Sequence, residues 1–270
     1  MKNPKDASQR IITLLTDFGT KSGYTACVKG VILRINPDVQ IVDITHQINP
    51  FDVWEACFVL SNFYQYFPKD TIHLVVVDPG VGSPRKAILL RSERYFFIGP
   101  DNGVFSYVFD KEKILEIKNI TNQKYFIGKP SFTFHARDIF APVAGYISLG
   151  VKIDEFGPDA KDCYKFRIPS PEIYKDKIVG EIIYVDKFGN LITNIDQNSV
   201  DSFTKKGSFE IVFKKRRIKK ISLSYFEGRR KEILAILGSS GLLEISSFEG
   251  NAQRTLSGKI GDKVKIEFKR

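Results

Sequence analysis

Histidine and cysteine are scarce in this chain, with three of each among 270 residues. Cys27, Cys57 and Cys163 lie far apart, are odd in number and form no CxxC pair. That excludes a disulfide framework and predicts reduced thiols in a cytoplasmic protein. His46, His73 and His135 leave a zinc centre little to draw on, so no metal site is expected. No apolar run approaches the roughly 20 residues that span a bilayer. The N-terminal MKNPKDASQR is polar and lacks a signal core, so no membrane association is expected. Walker A, GxGxxG, HExxH and GxSxG motifs are all missing, which removes phosphate-loop, dinucleotide, zincin and α/β-hydrolase readings. Asp17-Phe18-Gly19 is not a kinase signature, because neither an HRD loop nor a Gly-rich phosphate loop accompanies it.

What is present is a folded chain. Hydrophobic residues make up 43%, with 22 Phe and 11 Tyr, which is too apolar for disorder. The formal charge of +10 comes largely from runs in the last third, such as Lys214–Arg217 and Arg229–Lys231. Such runs are usually solvated faces, and without a helix-turn-helix, zinc-finger or RNP signature they predict no nucleic-acid partner.

The first 80 residues alternate short apolar runs with helical periodicity. Ile11–Leu15, Val39–Ile44 and Leu74–Val77 read as buried strands. Ser22 is expected to cap a helix reaching about Ile35, and Asp52 another carrying Val53, Ala56, Leu60 and Phe63 on one stripe, with Trp54 in the core. Ala87–Arg91 and Tyr95–Ile98 resemble shorter strands. Gly99–Gly103 is a turn cluster in which Asp101 or Asn102 could cap a brief helix, and an apolar helix from about Asp138 to Leu149 follows His135. Pro158, Pro169 and Pro171 then punctuate a stretch of weak periodicity. Beyond Lys177 seven short strands are expected, from Ile178–Val185 to Lys263–Phe268. The fold class is thus α/β. A mostly parallel sheet flanked by helices (residues 1–168) precedes a smaller antiparallel β-barrel domain (177–270).

The stretch with most chemistry is His73-Leu-Val-Val-Val-Asp-Pro-Gly-Val-Gly-Ser-Pro-Arg85. Asp78 stands where the strand should end, and Pro79, Gly80, Gly82 and Pro84 force a tight loop that Arg85 closes. A stiff loop can fold this carboxylate and guanidinium onto each other, at the strand end where open α/β sheets place ligands. Asp17 also falls at a strand end and reads either as a turn-forming carboxylate or as one taking hydrogen bonds from a sugar's vicinal hydroxyls. His135, flanked by Arg137 and Asp138 at a helix start, is placed to stay neutral.

Ile12-Thr-Leu-Leu-Thr-Asp-Phe-Gly19, Lys29-Gly-Val-Ile32, Val42-Asp-Ile-Thr-His46, Val76-Val-Asp-Pro-Gly-Val-Gly82 with Arg85, and Gly99-Pro-Asp-Asn-Gly103 occur in that order. Thr133-Phe-His-Ala-Arg-Asp-Ile-Phe-Ala-Pro142, Asp186-Lys-Phe-Gly-Asn190 and Ser239-Ser-Gly-Leu-Leu-Glu-Ile245 follow. Together they resemble the S-adenosyl-L-methionine (SAM) hydroxide adenosyltransferases, relatives of the SAM-dependent fluorinase and chlorinase. The resemblance implies hydrolysis of SAM to adenosine and L-methionine, with water or hydroxide attacking the ribose 5′ carbon and no cofactor. It implies Asp78, Arg85 and His135 as the catalytic triad and Asp17 as the ribose carboxylate. Phe51 would lie beside the sugar and Tyr225 on adenine. Asp186 and Asn190 would be polar residues of the site, with Asp186 towards the methionine ammonium, and Ser239 and Ser240 would lie in a backbone-exposing loop that meets adenine or the methionine end. It further implies a homotrimer with sites between neighbouring subunits. Many relatives carry Asp where this chain has Ser22, which removes a charge from the methionine end. The halogenating relatives carry a neutral side chain at the position of Asp78. A halogenase and a non-catalytic SAM- or adenosine-binding sensor are the alternatives.

Overall fold

The computed structural model describes residues 10–269. Apart from Arg10, the polar N-terminal stretch lies outside the described residues. Two compact units are present, Met1–Arg167 and Ile168–Arg270.

In the first unit β1 (Ile11–Thr16), α1 (Tyr24–Ile35), β2 (Gln40–Thr45), α2 (Val53–Phe63) and β3 (Ile72–Val76) alternate. They are followed by β4 (Ala87–Ser92), β5 (Phe96–Pro100), α3 (Ser106–Lys111) and β6 (Ile114–Asn119). The sheet order is β2-β1-β3-β5-β4-β6. The first four strands in that order are mutually parallel, whereas β4 runs antiparallel to β5 and β6. All five residues of β3 are buried, as its continuous apolar run requires. Burying Ile12, Leu14, Ile72, Leu74 and Ile98 against Val28, Ile32 and Val143 forms the core. Each such side chain contributes about 1.5–3 kcal/mol.

The ends of these elements differ in places from their expected form. Asp52 does cap α2, its Oδ1 accepting the Glu55 N–H at 2.8 Å. Ser22, by contrast, sits in a turn ahead of α1, which starts after Gly23 without a side-chain cap. Neither Asp101 nor Asn102 caps α3, which begins only at Ser106. The helix after His135 opens as a π-helical turn, Ala136–Phe140, before α4 (Ala141–Ser148). Pro142 is the reason. It has no N–H for the Asp138 carbonyl one turn back, and that carbonyl instead accepts the Ile127 N–H at 3.0 Å.

The second unit adds β7 (Glu172–Ile173), β8 (Lys177–Val185), β9 (Leu191–Asp196), α5 (Gln197–Thr204), β10 (Phe209–Phe213) and β11 (Arg216–Ile218). It continues with β12 (Ile221–Ser222), β13 (Ile233–Leu237), β14 (Leu242–Ser247), α6 (Ala252–Leu256) and β15 (Lys263–Phe268). The strands form a near-closed barrel sheet in the order β11-β10-β15-β8-β9-β14-β13-β12, with β7 on β8. Every pairing is antiparallel except β12 with β13. The run Ile218–Leu223, expected as one strand, is divided between β11 and β12. Ile178, Leu191, Phe213, Ile245 and Ile266 fill the interior. Among the described residues no helix is long and apolar enough to cross a membrane.

Candidate active site

Asp78 and Arg85 meet as the stiff loop between β3 and β4 predicts. Arg85 Nε donates to Asp78 Oδ1 at 2.9 Å and Nη2 donates to Asp78 Oδ2, a bidentate pair. Their side chains are only 6% and 10% exposed, so the pair is held largely away from water. The guanidinium also lies over the Phe140 ring, 5.4 Å from its centroid.

His135 joins this pair from the turn that opens the π-helical segment. Arg85 Nη2 donates to His135 Nδ1 at 2.9 Å. A guanidinium can only donate, so Nδ1 offers its lone pair and a neutral ring carries its proton on Nε2. Burial first, and then the Arg85 charge, lower the His135 pKa, while Asp78 opposes them more weakly. The ring is therefore neutral near pH 7.

Two local devices bring His135 into place. Gly82 has φ 80°, and a Cβ there would stand 2.3 Å from the Phe132 carbonyl oxygen. Only glycine lets the 131–134 segment approach this closely. Asp138, 2% exposed, then fixes that segment by accepting the Ser131 N–H at 2.8 Å and Arg137 Nε at 2.6 Å. Burial raises the Asp138 pKa, but those hydrogen bonds outweigh it and keep the group ionised. In the sequence Asp138 stands beside His135 at the start of an apolar helix, and no local pattern marks this bracing part.

Asp78 and His135 line a cleft of about 290 Å³ together with Asp17, Phe18, Tyr24 and Phe51. Asp17 follows β1, and its Oδ2 accepts the Phe51 N–H at 2.9 Å. Phe51 has φ 68° and a 70% exposed side chain. A left-handed conformation costs a non-glycine residue ~1–3 kcal/mol and is concentrated at functional sites. Here the Asp17 carboxylate helps to hold it.

The other sequence-predicted residues belong to the second unit. Asp186 and Asn190 close the β8–β9 turn: Asp186 Oδ1 accepts the Phe188 and Asn190 N–H groups, and Oδ2 accepts Asn190 Nδ2 at 2.8 Å. Tyr225 is 39% exposed and donates from its hydroxyl to Glu244 Oε2 at 3.1 Å. Ser239 and Ser240 are exposed in the β13–β14 turn, away from direct bonds to that pair. Glu244, 6% exposed, underlies that turn, and a Cβ on Gly238 would stand 1.7 Å from its Oε1. Burial raises the Glu244 pKa, Tyr225 opposes this, and Asp186 adds a smaller upward push. Glu244 was part of a recognised string but drew no attention as a polar group. An acidic residue set between Leu243 and Ile245 is the sequence signal for it.

Residues 12–157 match the SAM hydroxide adenosyltransferase N-terminal domain, and residues 180–265 match its C-terminal domain. The chain belongs to the SAM hydroxide adenosyltransferase family. It is 37% identical to the (R)-S-adenosyl-L-methionine hydrolase of Methanocaldococcus jannaschii, over 96% of each chain. It is 27% identical to a fluorinase of an Actinoplanes species, over 71% of this chain and 73% of that one. A crystal structure of a Thermotoga maritima protein superposes with a TM-score of 0.87 at 38% identity, covering 94% of this chain and 99% of that one.

Within this family chain, Arg85 bonds to both Asp78 and His135, and Asp78 and His135 line a cleft with Asp17 and Phe51. Asp186 and Asn190 form a second contact group, while Tyr225 bonds to neither. Ser22 is exposed ahead of α1 and is not a lining residue of the cleft. Among the described residues, no group of three or more His, Cys, Asp and Glu side chains is placed to hold a metal ion.

Proposed function

We propose that the protein hydrolyses (R)-S-adenosyl-L-methionine to adenosine and L-methionine. The observation that carries this is the Asp78–Arg85–His135 contact, of which Asp78 and His135 line a cleft with a strand-end carboxylate. It is supported by 37% identity across 96% of a chain named for that activity. The (R) configuration at sulfur comes from the names of the relatives and had no counterpart in the motifs.

In the proposed reaction a water oxygen bonds to the ribose 5′ carbon as the carbon–sulfur bond breaks. The electron pair goes to sulfur, so the sulfonium leaves as a neutral thioether without needing an acid. The water's proton needs an acceptor. His135 already gives its Nδ1 lone pair to Arg85 and carries the ring proton on Nε2. Asp78 is therefore the better acceptor, and His135 orients the guanidinium and the water. Asp17 holds the ribose hydroxyls, Phe51 packs beside the sugar, and Tyr225 stacks on adenine. Asp186, Asn190, Ser239 and Ser240 serve the adenine and methionine ends. We place the protein in the cytoplasm as a homotrimer, an assembly that light scattering would check.

Halide is a poor nucleophile for this site, because a fixed carboxylate at Asp78 repels an anion. The test is SAM, as separated sulfur epimers, in oxygen-18 water with saturating chloride. Label in the adenosine 5′ hydroxyl, formed from the (R) epimer, is expected. Chlorodeoxyadenosine as main product would establish a halogenase, and SAM bound but recovered intact would establish a sensor.

A further inference from the structure

The Gly99–Gly103 segment contributes no group to the proposed chemistry, yet it grips both ends of the loop that carries Asp78 and Arg85. Val77 precedes Asp78, and Lys86 follows Arg85. Asn102 Nδ2 donates to the Val77 carbonyl at 2.9 Å. The Asp101 N–H donates to the Lys86 carbonyl at 3.0 Å. This second bond prolongs the antiparallel β4–β5 ladder past its last pair, Ala87 with Pro100.

The first bond has a different origin. The parallel register of β3 with β5 ends at Leu74 opposite Ile98, three residues short of Val77. The Asn102 side chain supplies a donor where the backbone lacks one. Its Oδ1 accepts the Val104 N–H at 3.3 Å, which fixes which face of the amide turns towards Val77. Val77 is fully buried, so water cannot replace the missing donor. The segment is itself anchored, because Ser106 Oγ donates to the Gly103 carbonyl at 2.7 Å and Asp101 Oδ1 accepts the Tyr164 N–H at 2.8 Å.

We propose that Asn102 is a positioning residue for the proposed reaction. It pins the Val77 carbonyl so that the adjoining Asp78 carboxylate is presented to Arg85 and to the attacking water. This rests on the reading of Asp78, Arg85 and His135 as the water-activating site. A bond one residue from the reacting carboxylate should control geometry at that carboxylate, not the affinity for SAM.

The native protein offers a test that needs no substitution. A through-hydrogen-bond NMR coupling between Asn102 Nδ2 and the Val77 carbonyl carbon is expected, together with a slowly exchanging Arg85 Nε–H. Absence of the coupling would overturn the proposal. Asn102→Asp, nearly isosteric but without the donor, and Asn102→Ala are then compared with the native enzyme. Turnover of SAM should fall at least about tenfold, since displacing a reacting group by ~1 Å can cost ~10²-fold, while KM stays within about twofold. Exchange of the Arg85 Nε–H should quicken in parallel. Unchanged turnover with an unchanged Arg85 signal, or a KM that rises while turnover holds, would also sink it. A native protein that leaves SAM intact would defeat the hydrolase reading instead. The coupling and the Arg85 exchange would still decide whether Asn102 organises the pair.

Discussion

The two units treat their polar groups in opposite ways. In the first, Asp78 and Arg85 of the β3–β4 loop and His135, fifty residues further along the chain, are joined by hydrogen bonds through the Arg85 guanidinium. In the second, Asp186 and Asn190 lie four residues apart and satisfy each other within a single turn. Long-range assembly of charged groups, buried at a parallel-strand end, costs desolvation that only a functional pair or a tight ion pair offsets. A local turn costs little and can be built on any hairpin. On the proposed reaction, the first unit serves chemistry and the second recognition. That division can be broken by substitution.

The largest effect should fall on turnover in the first unit. Asp78→Asn removes the proposed proton acceptor and should lower kcat by about 10³-fold, while His135→Ala, which removes the proposed orienting group, should cost about 10²-fold. KM for SAM should change little in either. Steady-state kinetics on both variants would check this, and equal losses in KM with unchanged kcat would place these groups in binding. Asp17→Ala should do the reverse and raise KM by about ten- to a hundredfold, since a hydrogen bond to a charged group is worth ~1.5–3 kcal/mol. It also frees the Phe51 N–H. Retained affinity would remove Asp17 from the ribose site.

The sequence makes this division only partly visible. The strand-end positions of Asp17 and Asp78 follow from short apolar runs and the Gly and Pro residues after them. The strands β1 to β5 were legible for the same reason. β6 was not, because Glu116 and Lys118 interrupt its apolar residues, and Lys118 is buried only through pairing with Asp154 and Asp159. α5 and α6 are not legible either, although Asp196 and Asn251 cap them, because both are short and lie among strand-forming runs. The contact of His135 with Arg85 needed the Gly82–Phe132 approach, which spans fifty residues of chain and leaves no local pattern. Asn102 looked like a helix cap because Asn often is one; its amide is instead spent on Val77.

A buried histidine of the first unit sharpens the contrast on a smaller scale. His73 is fully buried in β3 among Tyr64, Tyr95 and Phe97, with Nδ1 2.8 Å from Thr13 Oγ1. Burial lowers its pKa to about 3. The folded value lies below the unfolded one, so between roughly pH 6.5 and 3 the unfolded chain binds more protons. Stability from this group is complete above pH 6.5 and declines as pH falls, by about 1.4 kcal/mol per unit. His73→Gln keeps a polar partner for Thr13 but does not titrate. Urea unfolding at pH 7 and pH 5 should give the native protein the steeper loss; parallel losses would mean that His73 takes up its proton without unfolding.

The smallest effect should be at Tyr225, and it tests whether the second unit only recognises. Tyr225→Phe keeps the aromatic face proposed to stack on adenine and deletes the hydroxyl bonded to Glu244. Glu244 then loses a donor in a site where burial already raises its pKa, so the change favours its neutral form. A bond of this kind is worth ~1 kcal/mol, which corresponds to about a fivefold rise in KM with kcat unaltered. Tyr225→Ala removes the stacking face as well and should raise KM further, by about ten- to a hundredfold, since stacking of a base on an aromatic ring contributes ~1–3 kcal/mol. Kinetics with SAM and equilibrium binding of adenosine would be measured on both variants. A fall in kcat larger than the rise in KM for Tyr225→Phe would show that the barrel unit reaches the reacting atoms, and the division of labour would have to be withdrawn.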